Sequence, residues 1–138
     1  MADRTVCILT PDPSDRSFAD QWPQVLARLG AALAGQGIAV ETRAWTDHVE
    51  DASGLAGFPL ILPLMVWGYH RDHDRWLSAC KAWAAAGLPL ANPAPVLAWN
   101  SDKTYLARLE QAGAAIAPTL WTRAPGAAEI ADALDRKS

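Results

Sequence analysis

The segment at residues 58–66 is almost continuously apolar, and it narrows the possible folds more than any other part of the chain. A short, uninterrupted apolar run is typical of a strand that is covered on both faces in a parallel sheet. The slightly longer run at 58–67 has ten residues and includes two prolines, whereas a membrane-spanning helix needs about 20 apolar residues. The run therefore predicts a buried strand and argues against a membrane segment.

Strand and helix patterns alternate on both sides of this run. Residues 38–45 alternate with period two and carry Glu41 and Arg43 on one face, which predicts a strand near a sheet edge. Apolar residues recur at three- and four-residue steps in 18–33 and 74–86, which predicts two helices. The remaining predictions are a strand at 5–9, a loop or short helix at 46–57, a short strand at 88–91, helices at 102–112 and 125–136, and an extended segment at 118–121.

This order of elements predicts the α/β class, with a small, open, mainly parallel sheet flanked by helices and followed by a short helical and extended segment. In such sheets ligands bind beyond the carboxyl ends of the strands. That rule singles out three segments as candidate binding loops, at residues 10–14, 67–72 and 92–95.

Composition excludes several classes of partner. The chain has 138 residues, of which 51% are hydrophobic, so one compact domain is expected. The formal net charge is -3, which is the wrong sign for binding a phosphate backbone, and we expect no nucleic-acid partner. Cys7 and Cys80 lie in separate apolar segments, and the first residues lack the pattern of a signal peptide. We therefore expect reduced thiols, a cytoplasmic location and no membrane partner.

Two central motifs carry a resemblance to a known family. The first is Leu-Pro-Leu-Met-Val-Trp-Gly-Tyr-His at 62–70, and the second is Asn-Pro at 92–93 followed by Asn-Ser-Asp-Lys at 100–103. With the order of elements, they resemble the amino-terminal region of ATP-grasp carboxylate-amine ligases, in the branch of glutathione synthetase-like and cycloserine-biosynthesis-type enzymes. The resemblance implies a Rossmann-like, pre-ATP-grasp substrate domain at 1–93 and the start of an incomplete ATP-grasp lobe at 94–138.

The resemblance also implies an activity for the complete enzyme. Members of the family activate a carboxylate as an acyl phosphate, which an amine then attacks, while magnesium ions neutralise the transferred phosphoryl group. This chain would be the amino-terminal, substrate-presenting portion of such an ATP-dependent ligase. The later ATP lysine, the adenine-binding hinge and the magnesium ligands cannot be located before residue 138. We therefore expect no catalytic residue here, no tightly bound ATP or magnesium, and no activity of this portion alone.

Lys103 is the candidate residue for nucleotide binding. By position it matches the family lysine that contacts an ATP phosphate, and a point charge on a flexible stem suits that contact. Local chemistry also permits a solvated lysine that follows a helix cap at Asp102 or Ser101.

Gly68, Tyr69 and His70 are the candidate substrate-binding residues, because they match the place where relatives turn away from the sheet beside the substrate. Glycine permits close approach of a ligand, and the two side chains offer hydrogen bonds to a carboxylate or an amine. The alternative is a plain turn between strand and helix. His70 and His73 have a spacing that could chelate a metal, but without a third ligand a solvated turn is favoured and no metal site is predicted.

The sequence gives little support for dinucleotide binding or for a cysteine nucleophile. The loop at 12–16 lacks the Gly-x-Gly-x-x-Gly fingerprint, so it is interpreted as a surface loop with a helix cap. Cys7 and Cys80 have no basic neighbour in sequence and are not candidate nucleophiles.

The expected partners are a small carboxylate or amino-acid substrate, the missing ATP-grasp lobes, and a second copy of the chain if an apolar face near the last helix is exposed. Two alternatives to the ligase hypothesis stay open at this point. One is a stand-alone, non-catalytic α/β binding or assembly module. The other is an unrelated flavodoxin-like domain.

Overall fold

The computed structural model describes residues 4–135, which form two compact units at 4–102 and 103–135. Each unit is described by itself. The division follows Asp102, whereas the domain boundary predicted from the sequence lies at 93/94. That boundary concerns the organisation of a complete ligase and stays a prediction.

The first unit is built on a sheet of three parallel strands, β1 (Thr5–Thr10), β2 (Ala39–Ala44) and β3 (Ile61–Leu62). The strand order is β2-β1-β3, so the strand with the exposed charged pattern is at an edge, as predicted. A single parallel bridge joins Ile61 to Leu90, where the sequence predicts a short strand. The small, open, parallel sheet confirms the predicted fold class.

This unit has three α-helices: α1 (Trp22–Ala34), α2 (His73–Ala85) and α3 (Ala94–Trp99). It also has short 3-10 helices at Trp45–His48, Ser53–Leu55 and Tyr69–Arg71. Pro23 lies in the first turn of α1, where a missing N–H costs no helical hydrogen bond. The Asp72 carboxylate caps α2 by accepting a 3.2 Å hydrogen bond from the Arg75 backbone N–H.

The core lies between the sheet and helices α2 and α3. Cys7 and Leu9 point to this face of β1, whereas Val6 and Ile8 are buried on the opposite face, as alternation along a strand requires. The rings of Trp45, Trp76 and Trp83 pack edge to face, with centroids 5.4 and 5.6 Å apart for the two successive pairs. These tryptophans pack α2 against the sheet. The start of α2 therefore lies at the carboxyl edge of the sheet.

The strand predicted at 58–66 and the helix predicted from Phe18 both differ from the structure. The strand predicted at 58–66 is reduced to Ile61–Leu62, because Pro59 and Pro63 on either side have no N–H to donate to the sheet. The helix predicted from Phe18 begins at Trp22. Phe18 has a φ of 57° and its ring lies 5.5 Å from that of Trp67, so tertiary contact draws it away from the helix.

The helix α3 was not predicted. It has only six residues, too few for a periodic pattern, and it is defined by the burial of Ala94 and Leu97 in the core.

The second unit contains α4 (Tyr105–Gln111) and α5 (Ala127–Asp135). Both helices were predicted, although Arg136 of the second prediction lies outside the described residues. Gly113 follows α4 with a φ of 86°, a conformation that glycine adopts readily. The segment at 118–121 has no regular structure, consistent with the extended segment predicted there.

Across residues 4–135, no helix combines the length and the apolar character needed to cross a bilayer.

Candidate functional site

A cleft of about 600 Å³ opens beyond the carboxyl ends of the three strands. Its walls come from the residues that follow each strand, so the sheet topology itself brings them together. The lining consists of Asp12, Ser14, Asp15, Arg16, Ser17, Trp45, Thr46, Trp67, Gly68, Arg71, Asp72 and Arg75. Two of the three segments predicted as binding loops, 10–14 and 67–72, contribute to it, whereas residues 92–95 do not.

An ion pair between Arg71 and Asp15 lies on one side of the cleft. Arg71 Nη1 donates to Asp15 Oδ1 at 2.9 Å, and Arg71 Nη2 donates to the Ser17 hydroxyl. The Ser17 backbone N–H also donates to Asp15 Oδ1, at 2.8 Å. These contacts hold the pKa of Asp15 below its usual value, first through the Ser17 N–H and then through Arg71. The Asp15 carboxylate is therefore ionised at neutral pH.

A second set of charges faces the cleft from Asp12 and Arg75. Asp12 Oδ1 accepts hydrogen bonds from the hydroxyl and the N–H of Ser14, at 2.6 and 2.8 Å, and these bonds lower the pKa of Asp12. Arg75 Nη2 donates to the Thr46 carbonyl at 3.0 Å, and its guanidinium lies 5.9 Å from the Trp45 ring centroid. A guanidinium has five N–H donors, and this bond uses one of them.

The Thr46 hydroxyl adds a polar group to the same wall. Its oxygen is buried and has no partner with hydrogen-bond geometry among the described residues, although it lies near enough to Asp12 to help lower the pKa of that carboxyl. Trp45 Nε1 donates to the Trp67 carbonyl at 3.1 Å, which ties the segments after β2 and β3 together. The cleft therefore has ionised groups of both signs on a wall that is held by buried aromatic rings.

Of the three candidate substrate residues, one lies in the cleft and two lie outside its lining. Gly68 lines the cleft, with a φ of 91°. The ring of Tyr69 packs instead against Trp76, with centroids 5.1 Å apart, and His70 is exposed with an edge contact to Tyr69. Neither Tyr69 nor His70 is among the residues lining the cleft, and their assignment to substrate binding stays a prediction.

Lys103, the candidate nucleotide residue, is the first residue of the second unit. Its side chain is exposed, with Nζ 5.7 Å from the ring centroid of Tyr105. Its contact with an ATP phosphate stays a prediction.

The part of the chain that the structure describes has neither a cluster of metal-ligating side chains nor an activated cysteine. Among residues 4–135, no three His, Cys, Asp or Glu side chains are grouped so that they could hold a metal ion. Cys7 and Cys80 are buried, and desolvation raises their thiol pKa values to about 11 and about 12. Such thiols are almost entirely protonated at neutral pH and are poor nucleophiles.

Sequence reasoning did not name Arg71 and Arg75, two of the three arginines that line the cleft, and it interpreted the loop at 12–16 as a surface loop with a helix cap. Arg71 follows the predicted turn directly, and Arg75 lies in the first turn of α2. A signal was available, because basic residues just after a buried strand in a parallel sheet fall at the ligand-binding edge. The pairing of Arg71 with Asp15, 56 positions apart, carries no local signal.

Gly68 provides a test of how tightly the cleft is built. A Cβ on Gly68 would lie 2.8 Å from Asp15 Oδ2, and the backbone has the positive φ that side chains disfavour. We expect Gly68→Ala to lower the free energy of unfolding by about 2 kcal/mol, as measured by urea denaturation.

Gly87→Ala is the matched control, because Gly87 also has a positive φ, of 62°, but no atom within 4 Å of its Cβ position. It reports the backbone cost alone, which is about 1 kcal/mol. Equal losses for the two variants would show that the contact with Asp15 contributes nothing.

These features define a class of protein: a parallel α/β domain with a polar cleft at the carboxyl edge of its sheet. The family model for the N-terminal domain of D-cycloserine synthetase DcsG matches residues 6–92, well over half of the chain. The chain belongs to this family.

A solved structure supports the same family assignment. The crystal structure of D-cycloserine synthetase DcsG is similar to this chain, with a TM-score of 0.61 and 25% sequence identity. The match covers 96% of this chain and 42% of the other, so this chain spans less than half the length of that protein. No curated protein matched the chain.

Proposed function

We propose that this chain is the amino-terminal, substrate-presenting portion of an ATP-dependent ligase, and that the cleft beyond the sheet binds its small carboxylate or amino-acid substrate. The complete enzyme would join a carboxylate to an amine through an acyl phosphate. Membership of the DcsG N-terminal family supports the ligase context and argues against an unrelated flavodoxin-like domain. A stand-alone, non-catalytic binding module stays the alternative.

The observation that carries the proposal is the presence of both signs of charge in one cleft. Arg71 and Arg75 offer donors to a carboxylate, and guanidinium groups bind carboxylates with two parallel hydrogen bonds. Asp12 and Asp15 are held ionised and offer acceptors to an ammonium group. An amino acid carries both groups, so it satisfies both halves of the lining at once.

Lys103 is exposed, and its contact with an ATP phosphate stays part of the proposal, with the remaining lobes of the ligase supplying the rest of that site. We assign the transfer of the phosphoryl group to the complete enzyme and no step in it to this chain. Its proposed contribution is to bind and orient the substrate.

An exposed apolar groove in the second unit supports the missing ATP-grasp lobes as the proposed partner of this chain. Leu120, Ile130 and Leu134 are 54%, 48% and 64% exposed and border an apolar groove between 117 and 134. Large apolar side chains at this exposure mark contact surfaces. Since the similar DcsG chain is more than twice as long as the matched part, we assign the groove to the remaining lobes of the complete ligase.

The proposal is tested by titrating the chain with alanine, in both enantiomers, and with two compounds that each lack one of its charged groups, propionate and ethylamine. Alanine has both charged groups, propionate lacks the ammonium, and ethylamine lacks the carboxylate. We expect saturable NMR shifts at Asp12, Arg71 and Arg75 for at least one alanine enantiomer, with at least about tenfold weaker binding of the other two compounds. Binding of none of the compounds, or shifts only outside the cleft, would contradict the proposal.

A further inference from the structure

One side of the edge strand β2 has no partner strand in the described part of the chain. In the order β2-β1-β3, β2 pairs on one side with β1, and no strand among residues 4–135 pairs with its other side. An edge strand presents a row of backbone N–H and C=O groups that can pair with another chain. The free edge of β2 is therefore a candidate contact surface of the first unit.

Hydrogen bonds show which residues of β2 face this edge. The Ala39 N–H donates to the carbonyl of Arg4, the residue before β1, at 2.9 Å. The Arg43 carbonyl accepts from the hydroxyl of Thr10, in β1, at 3.3 Å. Because the backbone groups of successive strand residues point to opposite sides of the strand, residues 39, 41 and 43 face β1. The N–H and C=O of Thr42, which is exposed, therefore face the free edge.

Glu41 and Arg43 place opposite charges on either side of Thr42. Their side chains are 50% and 39% exposed, and they lie on one face of the strand, with Arg43 Nη2 2.8 Å from Glu41 Oε2. Suppose that a second copy of β2 runs antiparallel to the first, with Thr42 opposite Thr42 as a hydrogen-bonded pair. Glu41 of each copy is then opposite Arg43 of the other, in the type of pair that brings side chains closest together.

The same charges oppose the neighbouring registers. Moving the pairing to the next register that keeps the same backbone groups at the edge places Glu41 opposite Glu41 in one direction, and Arg43 opposite Arg43 in the other. Opposite charges directly across an antiparallel pair are stabilising, and like charges are destabilising. The sequence of β2 is therefore complementary to itself in the register centred on Thr42 and not in the two adjacent ones.

We propose that the free edge of β2 pairs with β2 of a second copy of this chain, antiparallel, about a two-fold axis at Thr42. The Thr42 N–H of each copy donates to the Thr42 carbonyl of the other and replaces the 2.8 Å bond that Arg43 Nη1 now donates to that carbonyl. The freed guanidinium then bonds to Glu41 of the second copy. One short strand is a small contact surface, so the association is weak and reversible.

The pairing is independent of the proposed substrate site, because no residue from 39 to 44 lines the cleft. It is tested by sedimentation velocity on the 138-residue chain without ligand. We expect a monomer–dimer equilibrium with a Kd between about 10 µM and 1 mM, the range of small contact surfaces. A wild-type chain that stays monomeric throughout this range would overturn the proposal.

Charge variants test the register. Glu41→Arg and Arg43→Glu each place like charges opposite one another, so each should weaken the dimer at least about tenfold. The double variant Glu41→Arg/Arg43→Glu restores both pairs of opposite charge and should associate within about threefold of the wild type. A double variant that associates no better than the single variants would contradict the Thr42-centred register.

Mixing the two single variants gives a second test that does not depend on the double variant. One carries arginine at both positions and the other glutamate at both, so a mixed dimer has only opposite charges across the pair. We expect the mixture to associate within about threefold of the wild type, although each variant alone is largely monomeric. The proposal fails if the mixture stays as monomeric as its components.

Hydrogen exchange locates the contact. The Thr42 amide should exchange at least about fivefold more slowly in the dimer, the size expected for one new hydrogen bond, whereas the Glu41 amide faces β1 and should be slow in both states. Ile130→Asp is the control for the apolar groove of the second unit, where Ile130 is 48% exposed, and it should leave the association unchanged. Loss of the dimer in Ile130→Asp with no effect of Glu41→Arg would place the contact on the groove and overturn the proposal.

Discussion

Trp83→Ala should reduce the free energy of unfolding of the first unit by about 4 kcal/mol. Trp83 is fully buried, its ring packs against Trp76, and its Nε1 donates to the His48 carbonyl at 2.8 Å. The substitution leaves a large cavity and removes the hydrogen-bond donor to the part-buried His48 carbonyl. Since a domain of this size is stable by about 5–15 kcal/mol, urea denaturation should show a much lower midpoint.

Two further variants show whether the loss of stability comes from the buried ring of Trp83. Trp83→Phe retains an aromatic ring and removes the bond to His48, so it should cost less than half as much as Trp83→Ala. Trp121→Ala replaces a tryptophan that is 43% exposed in the second unit, and we expect it to change the midpoint of the first unit little. A wild-type midpoint for Trp83→Ala would show that α2 does not pack on the sheet as described.

Arg75→Gln should weaken the binding of alanine to the cleft at least tenfold, measured by the same NMR titration. The guanidinium lines the cleft and is held in place by the Thr46 carbonyl and the Trp45 ring. Under the proposed function, its loss removes a charge-assisted hydrogen bond to the carboxylate of alanine, and such bonds contribute about 1.5–3 kcal/mol.

The controls separate a specific contact from a general effect of charge. Arg28→Gln removes one exposed arginine from α1, away from the cleft lining, and should change the affinity less than twofold. Arg75→Lys keeps the charge but loses the planar arrangement of donors, so we expect an intermediate loss. If Arg75→Gln binds alanine as the wild type does, Arg75 is not part of the substrate site.

Much of the architecture could be predicted because its signals are local. The helices α1 and α2 follow from apolar residues at three- and four-residue steps, and the edge position of β2 follows from its alternating charges. The short β3 shows the limit of such signals. Its apolar run predicted burial on both faces, but only Ile61, Pro63 and Met65 are buried, whereas Leu60 and Leu64 are 38% and 50% exposed. Hydrogen bonding in the sheet depends on which N–H groups meet a partner strand, and Pro59 and Pro63 have none.

The candidate site could be located by rule but not built from the sequence. The topology of a parallel sheet placed the loops after β1 and β3 at one edge, and both line the cleft. The rule did not predict which individual side chains line the cleft. Gly68 was predicted and lines the cleft, whereas Tyr69 packs on Trp76, because a ring in this position can pack inward as readily as it can face a ligand.

The sequence by itself determined the α/β class, the order of most elements, the edge of the sheet where the cleft opens and the family resemblance, since each depends on neighbouring residues or a short motif. Only the tertiary structure decided the pairing of Arg71 with Asp15, the bond from His73 to Ser101 and the turn at Phe18. These contacts join residues far apart in the chain. Their energies depend on how the helices pack on the sheet, and no local pattern of residues encodes that packing.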